Sequence, residues 1–321
     1  TAFVAQQQNM PGVNGNSTIN PVFDLGTSYV TGWLASHTGF SGHWAGSDSL
    51  WMQSLGLNAA TLAAATALRA QIATINGGIG DDRLFASATS DSVVNGGTGN
   101  DSIDGGKYFT HQLNGGSGDD TYFIRSQTAT VVEAANGGLD TVRTFVDYTL
   151  TSEVENLRLE TGGLTGVGNA LGNLIIGSGG DDMIYGMGGN DNIQGRDGND
   201  EIWGGTGLDT IRGENGNDLL YGEQGDDKID GGAGNDILDG GDGNDLILGG
   251  AGSDVMKGGA GSDIFRFYAA DVTTFTADQI TDFTSGQDKI DLKQIYPGGG
   301  RFTFIGTQAF HNVVGELHYS V

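Results

Sequence analysis

The sequence predicts an all-β fold: a parallel β-roll solenoid of nonapeptide repeats, with a small α-containing N-terminal region and a C-terminal β cap. Three observations predict it. From Gly168 to Arg266 the chain runs through eleven nonads of the form glycine, usually glycine, any residue, glycine, any, aspartate, any, aliphatic, any. Their eighth place holds Ile175, Ile184, Ile193, Ile202, Ile211, Leu220, Ile229, Leu238, Ile247, Met256 and Phe265. Their sixth place holds Asn173, Asp182, Asp191, Asp200, Asp209, Asp218, Asp227, Asp236, Asp245, Asp254 and Asp263. A fixed short period marks a quasi-one-dimensional stack in which each repeat packs only on its neighbours.

The elements follow in order. In residues 1–76, Asn, Gly, Pro and Ser dominate as far as Pro21 and suggest loops. Trp33, Trp44 and Trp51 then stand among Leu34, Phe40, Leu50, Met52 and Leu55. Asn58 caps an expected helix with the apolar face Leu62, Ala65, Leu68, Ile72, Ile75, ended by Gly77 and Gly78. Residues 77–123 form a first repeat block. There Gly77–Phe85, Gly96–Asp104 and Gly115–Phe123 fit the pattern, with Asp82, Asp101 and Asp120 in sixth place. Ala86–Val94 lacks the glycines and is expected to keep Asp91 and Val93 in phase. Gly105–Asn114 is ten residues long, with Lys107, Tyr108 and His111 in its turn. Residues 124–167 break the period. Val131–Glu133, Thr141–Phe145 and Val154–Leu159 read there as longer strands, held in the stack as wider coils. Residues 168–266 are the main roll. In residues 267–321 the repeats end and strands at Ile280–Phe283 and Lys289–Leu292 suggest a capping sheet, because a solenoid must close its last coil.

The repeat explains its own composition. Its six-residue turn needs glycine where the backbone enters φ > 0. In its three-residue strand the eighth side chain points inward, the seventh and ninth outward. Two nonads then make one coil, and coils rise by about 4.8 Å around a thin aliphatic core. Turns of nonads n and n+2 lie over one another, so sixth-place aspartates converge with glycine carbonyls on a gap lined by oxygen. Calcium, which takes six to eight oxygens at about 2.3–2.6 Å, suits such a gap better than magnesium. The expected ligands for several calcium ions are Asp82, Asp101, Asp120, Asp182, Asp191, Asp200, Asp209, Asp218, Asp227, Asp236, Asp245, Asp254 and Asp263. Gly186, Gly204, Gly213, Gly222, Gly231, Gly240 and Gly249 are expected to add carbonyls. The coils at 86–94 and 105–114 are expected to keep the strand and lose the metal. Rows of carboxylates one strand spacing apart repel, so metal binding should itself drive folding. An EF-hand would need a glutamate in twelfth place and flanking helices, and phosphate-cradling glycine loops lead into helices.

Composition narrows the partners. With forty acidic residues against fourteen basic ones, net charge −26, nucleic acid and anionic membranes are repelled. There is no cysteine, hence no disulfide framework and no thiolate metal site. No apolar run reaches about eighteen residues, so no membrane insertion is expected. The chain begins at Thr1 without a visible secretion signal and reads as a segment of a longer product.

The nonapeptide is a known repeat signature, and the chain resembles the RTX (repeats-in-toxin) proteins. Its tail is similar to the C-terminal region of serralysin-type metalloproteases and alginate-epimerase R-modules. That likeness rests on Asp263–Phe267, on Asp278-Gln279-Ile280-Thr281-Asp282-Phe283 and on Asp288-Lys289-Ile290-Asp291-Leu292. The insert, with Val154–Leu157 and Gly166–Asn173, is similar to a segment of large RTX proteins. The resemblance implies a calcium-folded β-roll outside the cell or on its surface. It also implies export by the type I secretion machinery of a Gram-negative-type bacterium, read from a C-terminal signal expected beyond Val321.

No catalytic constellation is legible. None of His37, His43, His111, His311 or His318 is followed by Glu, so the zinc-binding HExxH is missing. Ser41, His43 and Asp48 are close only along the chain. Ninth-place residues on alternate nonads share a sheet, so Tyr185, Trp203 and Tyr221 should stack, flanked by Met183, Leu219 and Ile237 from seventh place. Such a column stabilises a sheet, or offers a docking face for a glycan or an identical subunit. The expected function is a calcium-binding, calcium-folded extracellular structural module. The alternatives are the rear of a secreted enzyme whose active site lies upstream, and a self-assembling surface-layer or matrix subunit.

Overall fold

The computed structural model describes residues 74–268, 278–292, 303–306 and 316–318. The tryptophan cluster and most of the expected helix lie outside the described residues. Ile75, placed on that helix by its spacing, instead stands in a strand, Thr74–Ile79. Among the described residues all regular structure is β, and no helix is long and apolar enough to cross a membrane.

Two units are distinguished, residues 1–138 and 139–321. In the first, the strands are β1 (Thr74–Ile79), β2 (Arg83–Phe85), β3 (Ser92–Thr98), β4 (Ser102–Asp104), β5 (His111–Ser117), β6 (Thr121–Ile124) and β7 (Ala129–Val132). Odd and even strands form two parallel sheets, β1-β3-β5-β7 and β2-β4-β6. The coil here is nineteen residues long from β3 to β5 and from β4 to β6, where Val94 pairs with Leu113 and Ile103 with Tyr122. It is eighteen from β5 to β7, where Leu113 pairs with Val131. The expected phase of Ala86–Val94 is therefore off by one. Ser92 and Val94 point inward, while Asp91 is exposed, because the extra residue is taken up in the turn rather than in the strand.

In the second unit the strands are β8 (Thr141–Thr144), β9 (Tyr148–Thr149), β10 (Asn156–Leu159), β11 (Thr165–Val167), β12 (Leu174–Ile176), β13 (Met183–Gly188), β14 (Asn192–Asp197), β15 (Glu201–Thr206) and β16 (Thr210–Asn215). They continue as β17 (Leu219–Gln224), β18 (Lys228–Ala233), β19 (Ile237–Asp242), β20 (Leu246–Ala251), β21 (Val255–Ala260), β22 (Ile264–Arg266), β23 (Gln279–Ile280) and β24 (Lys289–Asp291). A separate parallel pair is formed by β25 (Thr303–Gly306) and β26 (Glu316–His318). Even strands from β8 to β24 share one parallel sheet, odd strands from β9 to β23 the other. The register advances by eighteen residues, so Ile184, Ile202, Leu220, Leu238 and Met256 lie in one inward column. Ile175, Ile193, Ile211, Ile229, Ile247 and Phe265 lie in the other. All of these are fully buried. The thin core is thus one residue per strand, repeated.

Three features differ from expectation. The regular strands span six residues rather than three, because pairing resumes inside the turn: Tyr185 faces Trp203, then Met187 faces Gly205. The insert does stack, with β10 between β8 and β12, but its coils are not wider than the repeat. Thr141 pairs with Asn156, a step of fifteen residues, and Asn156 with Leu174 and Tyr148 with Gly166, steps of eighteen. Lastly, β23 and β24 are not a separate sheet. They lie parallel on β21 and β22 and extend the roll by one coil, with Ile290 opposite Phe265.

Candidate metal centres

Each repeat brings its sixth-place side chain to an edge of the roll through a turn that favours glycine. In nonad 204–212 the glycines at second and fourth place, Gly205 and Gly207, have φ of 108° and 144°. First-place Gly204 is constrained by space instead. A Cβ there would lie 2.5 Å from Asp209 Oδ2 and 2.9 Å from the Gly222 carbonyl oxygen. The same hollow, lined by the nonad's own carboxylate and a glycine carbonyl one coil on, recurs at Gly77, Gly96, Gly186, Gly195, Gly213, Gly222, Gly231 and Gly240. Gly195 belongs to this set although the sequence reading left it out.

The two carboxylate oxygens have separate roles. Oδ1 accepts the backbone N–H of the sixth-place residue one coil earlier. Asp182 N donates to Asp200, Asp200 to Asp218, Asp218 to Asp236 and Asp236 to Asp254, at 2.8–2.9 Å. On the other edge Asp191, Asp209, Asp227 and Asp245 donate in turn to Asp209, Asp227, Asp245 and Asp263, at 2.8–3.0 Å. In the first unit Asp82 N donates to Asp101 and Asp101 N to Asp120, at 2.8 and 2.7 Å. Oδ2, in contrast, is buried without a hydrogen-bond partner in Asp82, Asp101, Asp191, Asp200, Asp209, Asp218, Asp227, Asp236, Asp245 and Asp263.

Burial pushes the carboxyls of Asp191, Asp200, Asp236 and Asp245 up to about 7, and those of Asp218 and Asp227 up to about 6, against the lowering effect of the N–H bond each accepts. Desolvation likewise raises Asp101, Asp209 and Asp263. A buried acceptor oxygen that faces a carbonyl and receives no proton is costly. A hard cation held by oxygen alone relieves both faults at once, so the residues present fit calcium.

Several contributors were not legible in the sequence. Fifth place, read as any residue, carries a second ladder: Asn199 N donates to Asp181, Asn217 N to Asn199, Asn235 N to Asn217 and Ser253 N to Asn235, at 2.7–2.9 Å. Its signal was the Asn or Asp that precedes most sixth-place aspartates, with Leu208, Ser253 and Ser262 the exceptions in the main roll. In the tail, Asp278 and Asp288 accept the N–H of Asp254 and Asp263, each at 3.1 Å, so they take sixth place in the added coil. Asp282 caps two glycines of the last full nonad, accepting from Gly258 N and Gly259 N at 2.9 and 2.8 Å. On the edge at 86–95 and 105–114 no carboxylate stands in sixth place. Ser92 donates from its hydroxyl to His111 Nδ1 at 2.9 Å, and His111 Nε2 donates to the Tyr108 carbonyl at 2.7 Å.

The family model described as RTX calcium-binding nonapeptide repeat (4 copies) matches residues 74–93, 91–107, 167–202, 176–211, 203–238 and 230–265. Residues 74–107 and 167–265 of the chain are thus RTX-type calcium-binding repeats. Calcium is the ion that RTX repeats bind, and the buried aspartates accord with it. The coil carrying Asp278 and Asp288 lies beyond the matched RTX repeats. A comparison with curated proteins finds no match.

Proposed function

We propose that this calcium-binding β-roll is a calcium-folded structural module of an extracellular protein exported by type I secretion. One observation carries the reading: the same sixth-place oxygen is buried and unpartnered in turn after turn. The proposed ligands are that oxygen in Asp82, Asp101, Asp191, Asp200, Asp209, Asp218, Asp227, Asp236, Asp245 and Asp263, the carboxylates of Asp120 and Asp254 by their sixth-place position, and first-place glycine carbonyls. A bound divalent ion supplies the counter-charge that these acids lack. The protein supplies the rest: glycine leaves the hollow open, Oδ1 fixes the carboxylate through an N–H bond, and the aliphatic column excludes water. Without the ion, several uncompensated carboxylates would have to enter a core one residue thick, each at a cost of several kcal/mol. Folding is then conditional on calcium. Such a chain stays extended where calcium is scarce and folds where it is plentiful, which suits export through a narrow channel.

Circular dichroism and size exclusion of the chain, in chelator and across a calcium titration, test this. β-content and compaction should appear together as calcium is added. Full β-content in chelator would refute it.

A further inference from the structure

We propose that Ser178 keeps calcium out of the turn at Asp182, so that the ion array of the second unit begins beyond it, at Asp191 and Asp200. The proposal rests on the reading of sixth-place aspartates as calcium ligands. By sequence, nonad 177–185 (Gly-Ser-Gly-Gly-Asp-Asp-Met-Ile-Tyr) fits the repeat as well as its neighbours do. Its structure departs from them in two independent ways.

The first departure is chemical. Oδ2 of Asp182 accepts from both the backbone N–H and the hydroxyl of Ser178, each at 2.7 Å. Oδ1 accepts from Leu164 N at 3.0 Å. Three donors thus serve a carboxylate that is only 4% exposed, whereas the Oδ2 atoms of Asp191 and Asp200 have none. An ion at Asp182 would have to displace bonds that the turns of Asp191 and Asp200 do not make.

The second departure is in the backbone. Fourth-place glycines of the following nonads lie in the left-handed region, as in Gly189 at 100° and Gly198 at 126°. Gly180, in the same place here, is not among the positive-φ residues. The hollow is changed as well. The three atoms nearest a Cβ on Gly186 include Asp191 Oδ2 and the Gly204 carbonyl oxygen, whereas the three nearest a Cβ on Gly177 include the Gly195 carbonyl oxygen and no atom of Asp182.

The preceding turn is closed in the same way. Its sixth place is Asn173, whose Oδ1 accepts from Asn169 N at 2.8 Å and whose Nδ2 donates to the Glu155 carbonyl at 3.2 Å. In both turns the second-place N–H is directed at the sixth-place side chain. The two turns at the base of the main roll are therefore held by protein hydrogen bonds, and the calcium-holding turns stack onto them.

The test counts calcium bound to the full chain by native mass spectrometry at saturating calcium. Asp182→Asn should bind as many ions as the wild type and fold at the same calcium concentration. Asp200→Asn should bind at least one fewer. Loss of an ion in Asp182→Asn, matching that in Asp200→Asn, overturns the proposal and leaves the ligand reading standing. Wild-type counts in both variants overturn the ligand reading itself, and the proposal with it. Should Asp200→Asn fail to fold in calcium, Asp209→Asn takes its place, and the Asp182→Asn count still decides the role of Ser178.

Discussion

Trp203 lies flat on Tyr185, with ring centroids 4.4 Å apart and planes 7° from parallel. Tyr221 continues the column on the other face of Trp203, at 5.5 Å and 14°. The strand register dictates this, since Tyr185, Trp203 and Tyr221 are successive Cα partners across β13, β15 and β17. Both faces of the indole are spent on neighbouring rings. Stacked aromatic pairs contribute about 0.5–1.5 kcal/mol each beyond area burial. Trp203→Ala should therefore lower stability by about 1–3 kcal/mol, read from chemical unfolding in saturating calcium, with the number of bound ions unchanged. An unaltered unfolding midpoint would mean that the column contributes nothing to the sheet.

Glycines in the repeat do not all answer to the same constraint, and substitution separates them. Gly204→Ala puts a methyl group 2.5 Å from Asp209 Oδ2 and 2.9 Å from the Gly222 carbonyl, inside the oxygen-lined hollow. Overpacking of that kind costs about 1–3 kcal/mol before any loss of metal is counted. The calcium concentration needed for folding should rise. Gly179→Ala, by comparison, meets nothing within 4 Å. Its stability should change by no more than about 0.5 kcal/mol. Equal calcium midpoints for the two variants would show that the hollow is not where the ion sits.

Second place shows strain that the sequence tolerates. Glu214 and Glu223 hold φ of 77° and 74°, and Arg196 and Met187 hold 85° and 80°. An L side chain there costs about 1–2 kcal/mol relative to glycine. In addition, Glu223 is one cause of the raised Asp209 carboxyl. Glu223→Gly should thus stabilise the calcium-loaded roll by about 1 kcal/mol, checked by thermal unfolding. A lower melting temperature would contradict the strain argument.

The legible part of this chain is the part in which every cycle asks the same thing of the same place. Ile184 and Ile202 face inward for one reason, and Asp191 and Asp209 reach the edge for another, so both columns could be read before any coordinates. Legibility failed where a turn changed length or conformation. The residue added before Ser92 shifted the strand by one, and spacing alone could not say whether turn or strand absorbed it. The added coil at β24 was hidden because Phe283 and Thr284 occupy the places of two glycines, leaving only Gly286, at φ 91°, to mark the turn. Ser178 looked like an ordinary second-place residue, and only the hydrogen bonds distinguish it. Sixth place reveals a carboxylate; it does not reveal whether protein or ion answers it.

Acidity should act in opposite directions on the stability of the ion-free roll and on its affinity for calcium. In the folded, ion-free chain, burial first and like charges second lift Asp200, Asp236 and Asp245 to about 7, from an ordinary value of 3.8. Between those two values the folded state holds more protons than the unfolded one, so its stability falls as pH rises through the window. The ion-free roll is thus least stable at and above about pH 7, and protonation at about pH 5 partly replaces the missing counter-charge. Calcium needs the deprotonated carboxylates, so proton and ion compete for the same oxygens. Above about pH 5, however, the unfolded carboxylates have already lost their protons, so folding the chain with calcium releases none. The calcium concentration for half-folding should therefore rise, not fall, from about pH 5 to about 7.5, as the protonated, ion-free roll ceases to help folding. In chelator, any residual β-content should grow toward the acid end of that range. Calcium titrations followed by circular dichroism at stepped pH check both arms together. A half-folding concentration that falls as pH is raised across that range would contradict the raised carboxyls of the ion-free roll.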